Sequence, residues 1–546
     1  MRVAGWVAVA AVLVGAVGCG STQGDGGAAS VGTPDAGSGS GGGSGGGGGS
    51  DGGGGSGGGT DGGSGGGGGG GSPVQYILTL DVKGPGSGAI RGKALTSDCR
   101  ASCKLIIDAG TLVSFEALPD NFNVFDGWSG ACAGKGSCIL TVNQDLAVSA
   151  SFAVQPYTLT VVFRGNGGGR VTSSPPGLDC TSATASCSAT FPAGTNVVLN
   201  TTPELLSKFG GWAGACGGSN CSVSMRSDQV AVAAFDLQRY AVLDLGTPPG
   251  GYFSQNLAIS RNGRLMAGNW GGNPNHPFFW DGSMKALDFE GYAVGVDDGG
   301  VVGGIVVVNG HYHPFRWQAG VFKDLGGLGG LDSWPHSVGA QGTIIGSSLR
   351  ADGQLRAVYW NDTGAVDLGS LGATWSGCSQ AYGSNADGLI VGESCLSGYP
   401  WGTHAVRWRS PGVIDDYGTL GGTYGRAYAI NDAGLIVGAS SISNGDTHPI
   451  FIVDGKMIDA GVLTGTNSGE LTAMNGAGIA VGSCWSSSVG IQRPVVATRN
   501  RMLDLNAQVD GTPYTIVTIG GIDEAGDIAA TGNYQGQLRA LILRPR

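Results

Sequence analysis

The chain has 546 residues, of which 109 are glycine, yet 41% are hydrophobic, so the glycines must be concentrated and the remainder can bury a core. The formal charge is -11 with only 29 Lys and Arg and no basic stripe, which excludes nucleic acid as a partner. Twelve cysteines are far too many for an incidental thiol content and call for a compartment or a pairing scheme.

The compartment is set by residues 1–18. Arg2 is a short positive n-region, residues 3–17 are apolar apart from Gly5 and Gly15, and Ala16-Val17-Gly18 places small residues just before Cys19. This pattern reads as a secretory signal, too short for a comfortable membrane span. Its end resembles a bacterial lipobox. That resemblance implies that Cys19 is lipidated and becomes the new N-terminus, anchoring an exported protein at the bacterial envelope, at the outer membrane or cell surface. The alternative is ordinary cleavage beside an incidental cysteine. Residues 19–72 follow as a tether with no aromatic residue and no Lys or Arg. Such a segment cannot bury enough apolar surface to offset its ordering entropy. As a Gly-rich coil it spans roughly 40 Å. Asp51 and Asp61 within it lack the periodic apolar residue that a calcium-binding nonapeptide roll requires.

Residues 73–154 and 155–237 are copies of each other. Tyr76-Ile77-Leu78-Thr79-Leu80 recurs as Tyr157-Thr158-Leu159-Thr160-Val161, and the stretch ending Trp128-Ser129-Gly130-Ala131-Cys132 recurs as Trp212-Ala213-Gly214-Ala215-Cys216. Alternation of β-branched and aromatic residues between Gly turns predicts two small all-β modules. Each holds four cysteines: Cys99, Cys103, Cys132 and Cys138, then Cys180, Cys187, Cys216 and Cys221. Close Cys pairs also suit zinc, but thiols oxidise outside the cytosol, and modules this small need staples. Four cysteines allow three pairings. The short, nearly constant spacing within each close pair favours Cys99–Cys103, Cys132–Cys138, Cys180–Cys187 and Cys216–Cys221. The Gly-Trp-x-Gly-Ala-Cys stretch resembles divergent bacterial modules related to the internalin B-repeat. The resemblance implies a spacer or adhesive role without catalysis. Trp128 and Trp212 are expected in the module cores rather than as sugar platforms.

Residues 238–546 carry a longer repeat, clearest from Asp416-Tyr417-Gly418-Thr419-Leu420-Gly421-Gly422 onward. A turn glycine recurs at Gly263, Gly299, Gly342, Gly388, Gly434, Gly478 and Gly526. An aspartate that opens each unit recurs at Asp244, Asp288, Asp324, Asp367, Asp416, Asp459 and Asp504. A His or Arg recurs at His276, His313, Arg356, His404, His448, Arg493 and Arg539. Units of about 45 residues with three or four short strands are the mark of a β-propeller. The three columns each give seven units. The last unit lacks a fourth strand, and Tyr240-Ala241-Val242-Leu243 is an extra one, so these are expected to join and close the ring. The expected fold is therefore all-β: a seven-bladed β-propeller preceded by two stapled modules and a disordered Gly/Ser linker. The repeat resembles the HAF-type extracellular repeats of bacterial surface proteins, which implies an extracellular setting and little about activity.

Candidate chemistry is sparse. The His/Arg column cannot be a metal ring, since three of its members are Arg, and one hydrogen bond per unit to the aspartate column accounts for it. Trp280, Trp317, Trp360 and Trp408 recur four residues after it and are expected to pack unit against unit. Asp297, Asp298, Asp432 and Asp523 fall in strand-joining turns, where turn chemistry accounts for them. There is no nucleophile elbow, phosphate loop or His-Glu-x-x-His motif, so no catalytic residue, cofactor or metal is expected. The longest insertion, residues 394–403 in the fourth unit, presents Tyr399 and Trp401 as candidate ligand contacts, braced by an expected Cys378–Cys395 disulfide. Cys484 is left over, either buried and free or paired between chains. The expected function is a non-catalytic surface lipoprotein whose partners are the membrane, through its lipid, and an unknown protein or glycan. The alternatives are a polysaccharide hydrolase or lyase, and a structural spacer.

Overall fold

The computed structural model describes residues 73–271, 275–372, 378–396, 402–486 and 488–546. The signal and tether expectations, residues 1–72 with Cys19, lie outside the described residues, as do Tyr399 and Trp401.

The first module is a two-layer sandwich. One layer orders Ser102–Asp108, Gln75–Lys83, Leu146–Val154 and Asn123–Gly130, and the other orders Gly88–Gly92, Thr111–Pro119 and Cys138–Val142. The opening strand of this module pairs in parallel with its closing strand, so the chain enters and leaves the module at opposite ends of that pair. Period-two alternation turns Leu78, Leu80, Val148, Ala150 and Phe152 inward, against Val113, Phe115 and Val142 of the other layer. Trp128 joins this core with 6% of its surface exposed, and its indole N–H donates to the Gly136 carbonyl at 2.7 Å. The second module repeats the plan with two four-stranded layers, and Trp212 stands where Trp128 does, edge-on to Phe209 as Trp128 is to Phe125. Both tryptophans are core residues. Each fully buried large side chain contributes about 1.5–3 kcal/mol, which in so small a module leaves room for staples to matter.

Every unit of the C-terminal region folds as an antiparallel meander. The fifth runs Gly421–Ile430, Ile436–Ile442, Thr447–Val453 and Lys456–Asp459, each strand pairing with the next. Among the described residues this region holds five four-stranded sheets and one eight-stranded sheet. The eight-stranded sheet is the fourth and fifth units joined by the single parallel partnership of Thr403 with Tyr424. In the last unit the fourth place is taken by Tyr240–Asp244, which pairs antiparallel with Gln537–Pro545.

The glycine in the second strand of six units has a steric cause. A bulge in each first strand pushes a carbonyl toward Gly268, Gly304, Gly346, Gly392, Gly438 and Gly482, and a Cβ at any of them would overlap that oxygen. Apolar side chains pack between units. Trp360 packs with Val301 of the preceding unit, and Trp408 with Ile345 and Ala357 of its own predecessor. The first and last units also touch. Ser254–Ile259 packs against Thr515–Ile522, the Ser254 hydroxyl accepts the Ala540 N–H at 2.9 Å, and the Asn256 amide donates to the Leu541 carbonyl at 3.1 Å. Leu206 of the second module enters the core that Tyr240 shares with the last unit.

Candidate functional site

The recurring aspartates lie at or near the ends of the fourth strands rather than opening the units, a shift of frame from the sequence expectation. Each of Asp244, Asp324, Asp367, Asp416 and Asp459 accepts the N–H of the glycine two residues on at 2.7–2.9 Å, and Asp504 accepts that of Asn506. These are Asx turns. The same carboxylates meet the His/Arg column within their own sheet. His313, His404 and His448 place Nδ1 2.8 Å from Asp324, Asp416 and Asp459, while Arg356 and Arg493 stand 3.9 Å from Asp367 and Asp504. Two units depart from the pattern. His276 meets the Phe289 carbonyl instead of Asp288, and Asp244 takes the Tyr514 hydroxyl, whose pKa its hydrogen bond pushes up to about 12. The pairs sit one to a unit.

The turns between first and second strands do gather acids on one rim. Arg261 of the first unit reaches Asp432 of the fifth at 2.7 Å and Glu524 of the seventh at 3.0 Å. That contact with Arg261, with the Ala386 N–H next, holds the Asp432 carboxyl below the usual range. Asp298 accepts the Asn262 N–H, and Asp297 accepts those of Gly299 and Val301 within its own turn. Asn385, Asn431 and Asn475 link successive turns. The Oδ1 of each accepts the N–H four residues on, and its Nδ2 donates to a carbonyl of the next unit's turn at 3.1–3.4 Å. Asp298, Asp432 and Glu524 on this rim are engaged in holding units together.

A second cluster joins the fourth and fifth units. Glu393, 2% exposed, lies in Ile390–Cys395. Its Oε1 accepts from the Tyr382 hydroxyl at 2.7 Å and the Gln380 amide at 3.0 Å; its Oε2 accepts from Thr403 at 2.8 Å and the Arg426 Nε at 2.9 Å. Arg426 also lies over the Tyr424 ring. The Tyr382 ring stands 4.8 Å from that of His336 and 5.1 Å from that of Tyr428, so aromatic residues of three units form one row. Burial pushes the Tyr382 and Tyr428 hydroxyls up and the His336 imidazole down, which keeps all three neutral near pH 7. Burial likewise raises Glu470, at the far end of the row. Burial opposes the charge of Arg426, but Glu393 together with Tyr428 and Tyr382 outweighs it and raises the guanidinium's pKa. With four donors on two oxygens, Glu393 has no lone pair left for a substrate proton.

The structure pairs Cys99 with Cys103, Cys132 with Cys138, Cys180 with Cys187, Cys216 with Cys221, and Cys378 with Cys395. The last bridge ends two residues from Glu393 and flanks the fourth-unit insertion. Cys484 is buried and free, its thiol pushed up by burial and 3.5 Å from the Met502 sulfur. Among the described residues no group of three His, Cys, Asp or Glu side chains is placed to hold a metal ion.

Residues 96–156 and 157–239 match the divergent InlB B-repeat domain family. Distant likenesses among solved structures cover somewhat more than half of the chain. YCF48 bound to D1 peptide gives a TM-score of 0.34 at 11% identity, over 56% of this chain and 96% of that one. The β-propeller domain of the trilobed protease from Pyrococcus furiosus gives 0.36 at 8% identity, over 54% and 93%. TolB from Acinetobacter baumannii gives 0.29 at 13% identity, over 53% and 62%. No curated protein matches the chain.

Sequence reasoning missed the Glu393 cluster, although the chain carries a signal for it. The residue after the second-strand glycine is Asn269, Ile305, Ser347, Ala439 or Ser483 in other units, and only the fourth unit puts a charge there. Its partner Arg426 stands in the next unit's first strand, at no recognisable spacing.

Proposed function

We propose that residues 240–546 close into a seven-bladed β-propeller of the HAF type, and that the chain is a non-catalytic binding module of the bacterial surface. The four-stranded meander of each unit, the strand Tyr240–Asp244 completing the last one, and the Ser254 and Asn256 bonds from first unit to last support the closed ring. One observation carries the non-catalytic reading: most of the carboxylates that recur or cluster are occupied by partners inside the fold, the buried Glu393 by four donors. An acid or base that works on a substrate needs a free lone pair or proton within reach. The export signal and the lipid on Cys19 would place the propeller outside the cell on its tether, with the paired modules as spacers. A protein or glycan of the envelope or its surroundings is the partner, met in part through Tyr399 and Trp401.

The test sets a glycan array and a pull-down from envelope extract beside a polysaccharide-turnover assay on the full chain. Saturable binding without turnover, weakened in Y399A/W401A, is the expected result. Turnover abolished by one carboxylate substitution would make the protein an enzyme. Cys19→Ala is expected to abolish palmitate incorporation, and unchanged labelling would remove the anchor from this reading.

A further inference from the structure

Three consecutive joints between neighbouring units are made by one device. Asn385, Asn431 and Asn475, each at most 6% exposed, accept the N–H four residues on and donate an amide hydrogen to the next unit's turn. The next position in this series is Asp523. It is 2% exposed, and its Oδ1 accepts the Asp527 N–H at 2.7 Å, the same bond the asparagines accept. The other oxygen points across the seam at Gly263 of the first unit, so close that a Cβ there would overlap it. In the asparagine joints this second atom is a donor. An ionised carboxylate has no hydrogen to give, and a protonated one is nearly the same shape as the amide and does.

We infer that Asp523 is a proton-operated latch in the seam between the last and first units. With a proton taken from solvent, its hydroxyl donates to the turn at residues 260–263 as the asparagines donate to theirs. Without it, the carboxylate oxygen that faces that turn has no hydrogen to give it, and the seam loosens. The seam matters because its closure rests on noncovalent pairing: the chain enters the first unit from Tyr240–Asp244, which is held in the last sheet only by pairing with Gln537–Pro545.

The charged groups around Asp523 are Glu524 and Asp527 of its own turn, Arg544 of the same sheet, and Arg261 and Arg264 of the first-unit turn. Arg544 is taken by Asp527 and Arg261 by Glu524 and Asp432, so neither cation is free to hold Asp523 ionised. Burial first, then the Asp527 charge, raises the Asp523 pKa. For a folded-state pKa raised above its unfolded value, the stability contribution is full below the unfolded pKa and is lost as pH rises through the folded one. The latch therefore closes in acid. The Arg261 clasp beside it acts in the opposite sense, since its partner Asp432 has a lowered pKa.

The test compares the full chain with Asp523→Asn and Asn475→Asp by thermal unfolding between pH 4.5 and 8.5, together with hydrogen exchange at the Glu524 and Ala540 amides. These two amides bond across the seam, to the Arg261 carbonyl and the Ser254 hydroxyl. At pH 8, D523N is expected to melt about 2–6 °C above the wild type and to exchange more slowly at both amides, with the gap closing toward pH 4.5. N475D is expected to install a second pH-dependent weakness of the same sign. A gap between D523N and wild type that stays constant with pH, or no gap at all, would overturn the latch. So would an N475D variant whose loss does not depend on pH.

Discussion

Replacing Arg426 with methionine would leave Glu393 as a carboxylate 2% exposed, held only by neutral donors. Two unit charges at the observed 2.9 Å attract by about 6 kcal/mol at an effective dielectric of 20, before any desolvation is counted. The Arg426 side chain is 27% exposed, so water reaches the pair and part of that attraction is screened. Breaking a buried pair by removing one partner typically costs about 3–5 kcal/mol, because the survivor is stranded, and the lower end of that range is expected here. Urea unfolding of the full chain, followed by tryptophan fluorescence of the C-terminal region, measures it. Replacing both partners, in E393M/R426M, removes the stranded charge and is expected to recover most of the loss. The Tyr382, Gln380 and Thr403 donors then lack an acceptor, so recovery stays incomplete. Arg426→Met within about 1 kcal/mol of wild type, or a double variant as unstable as the two singles summed, would refute the idea that this pair is the buried electrostatic tie between the fourth and fifth units.

Cys378→Ser is expected to cost about 3 kcal/mol, since the bridge closes a loop of 17 residues, and to open the chain to limited proteolysis between Cys395 and Thr403. Protection unchanged from wild type would show that the bridge does not brace the loop. Trp212→Ala removes a core side chain 6% exposed and should destabilise the second module by about 3–5 kcal/mol; differential scanning calorimetry that shows the early transition unmoved would contradict this. Arg261→Ala should flatten the acid limb of the stability curve. Asp432, with its pKa lowered first by Arg261, contributes stability above its unfolded pKa that is lost as pH falls through the folded one. An acid limb identical to wild type would remove the clasp from the account.

Much of the architecture was legible because its causes are local or periodic. Alternation marked the strands, and glycine marked positions where a bulged carbonyl leaves no room for a Cβ, as at Gly392 and Gly438. The short spacings of Cys99–Cys103 and Cys216–Cys221 fit bridges between neighbouring segments. The aspartate column was legible as a repeat but not as a set of Asx turns, so its frame was read one strand out of step. His276 was placed with the rest of its column, yet the structure gives it a backbone carbonyl.

The linear order of residues settled what any unit does alone: which strands form, which face turns inward, and where a carboxylate caps a turn, because these depend on neighbours within a few residues. Tertiary structure decided what units do to one another. Glu393 meets Arg426 across 33 positions, Arg261 meets Glu524 across 263, and Asp523 stands in a series of asparagines only once the turns are stacked side by side. Charges find partners through space, and no pattern along a chain specifies how a late turn will sit beside an early one.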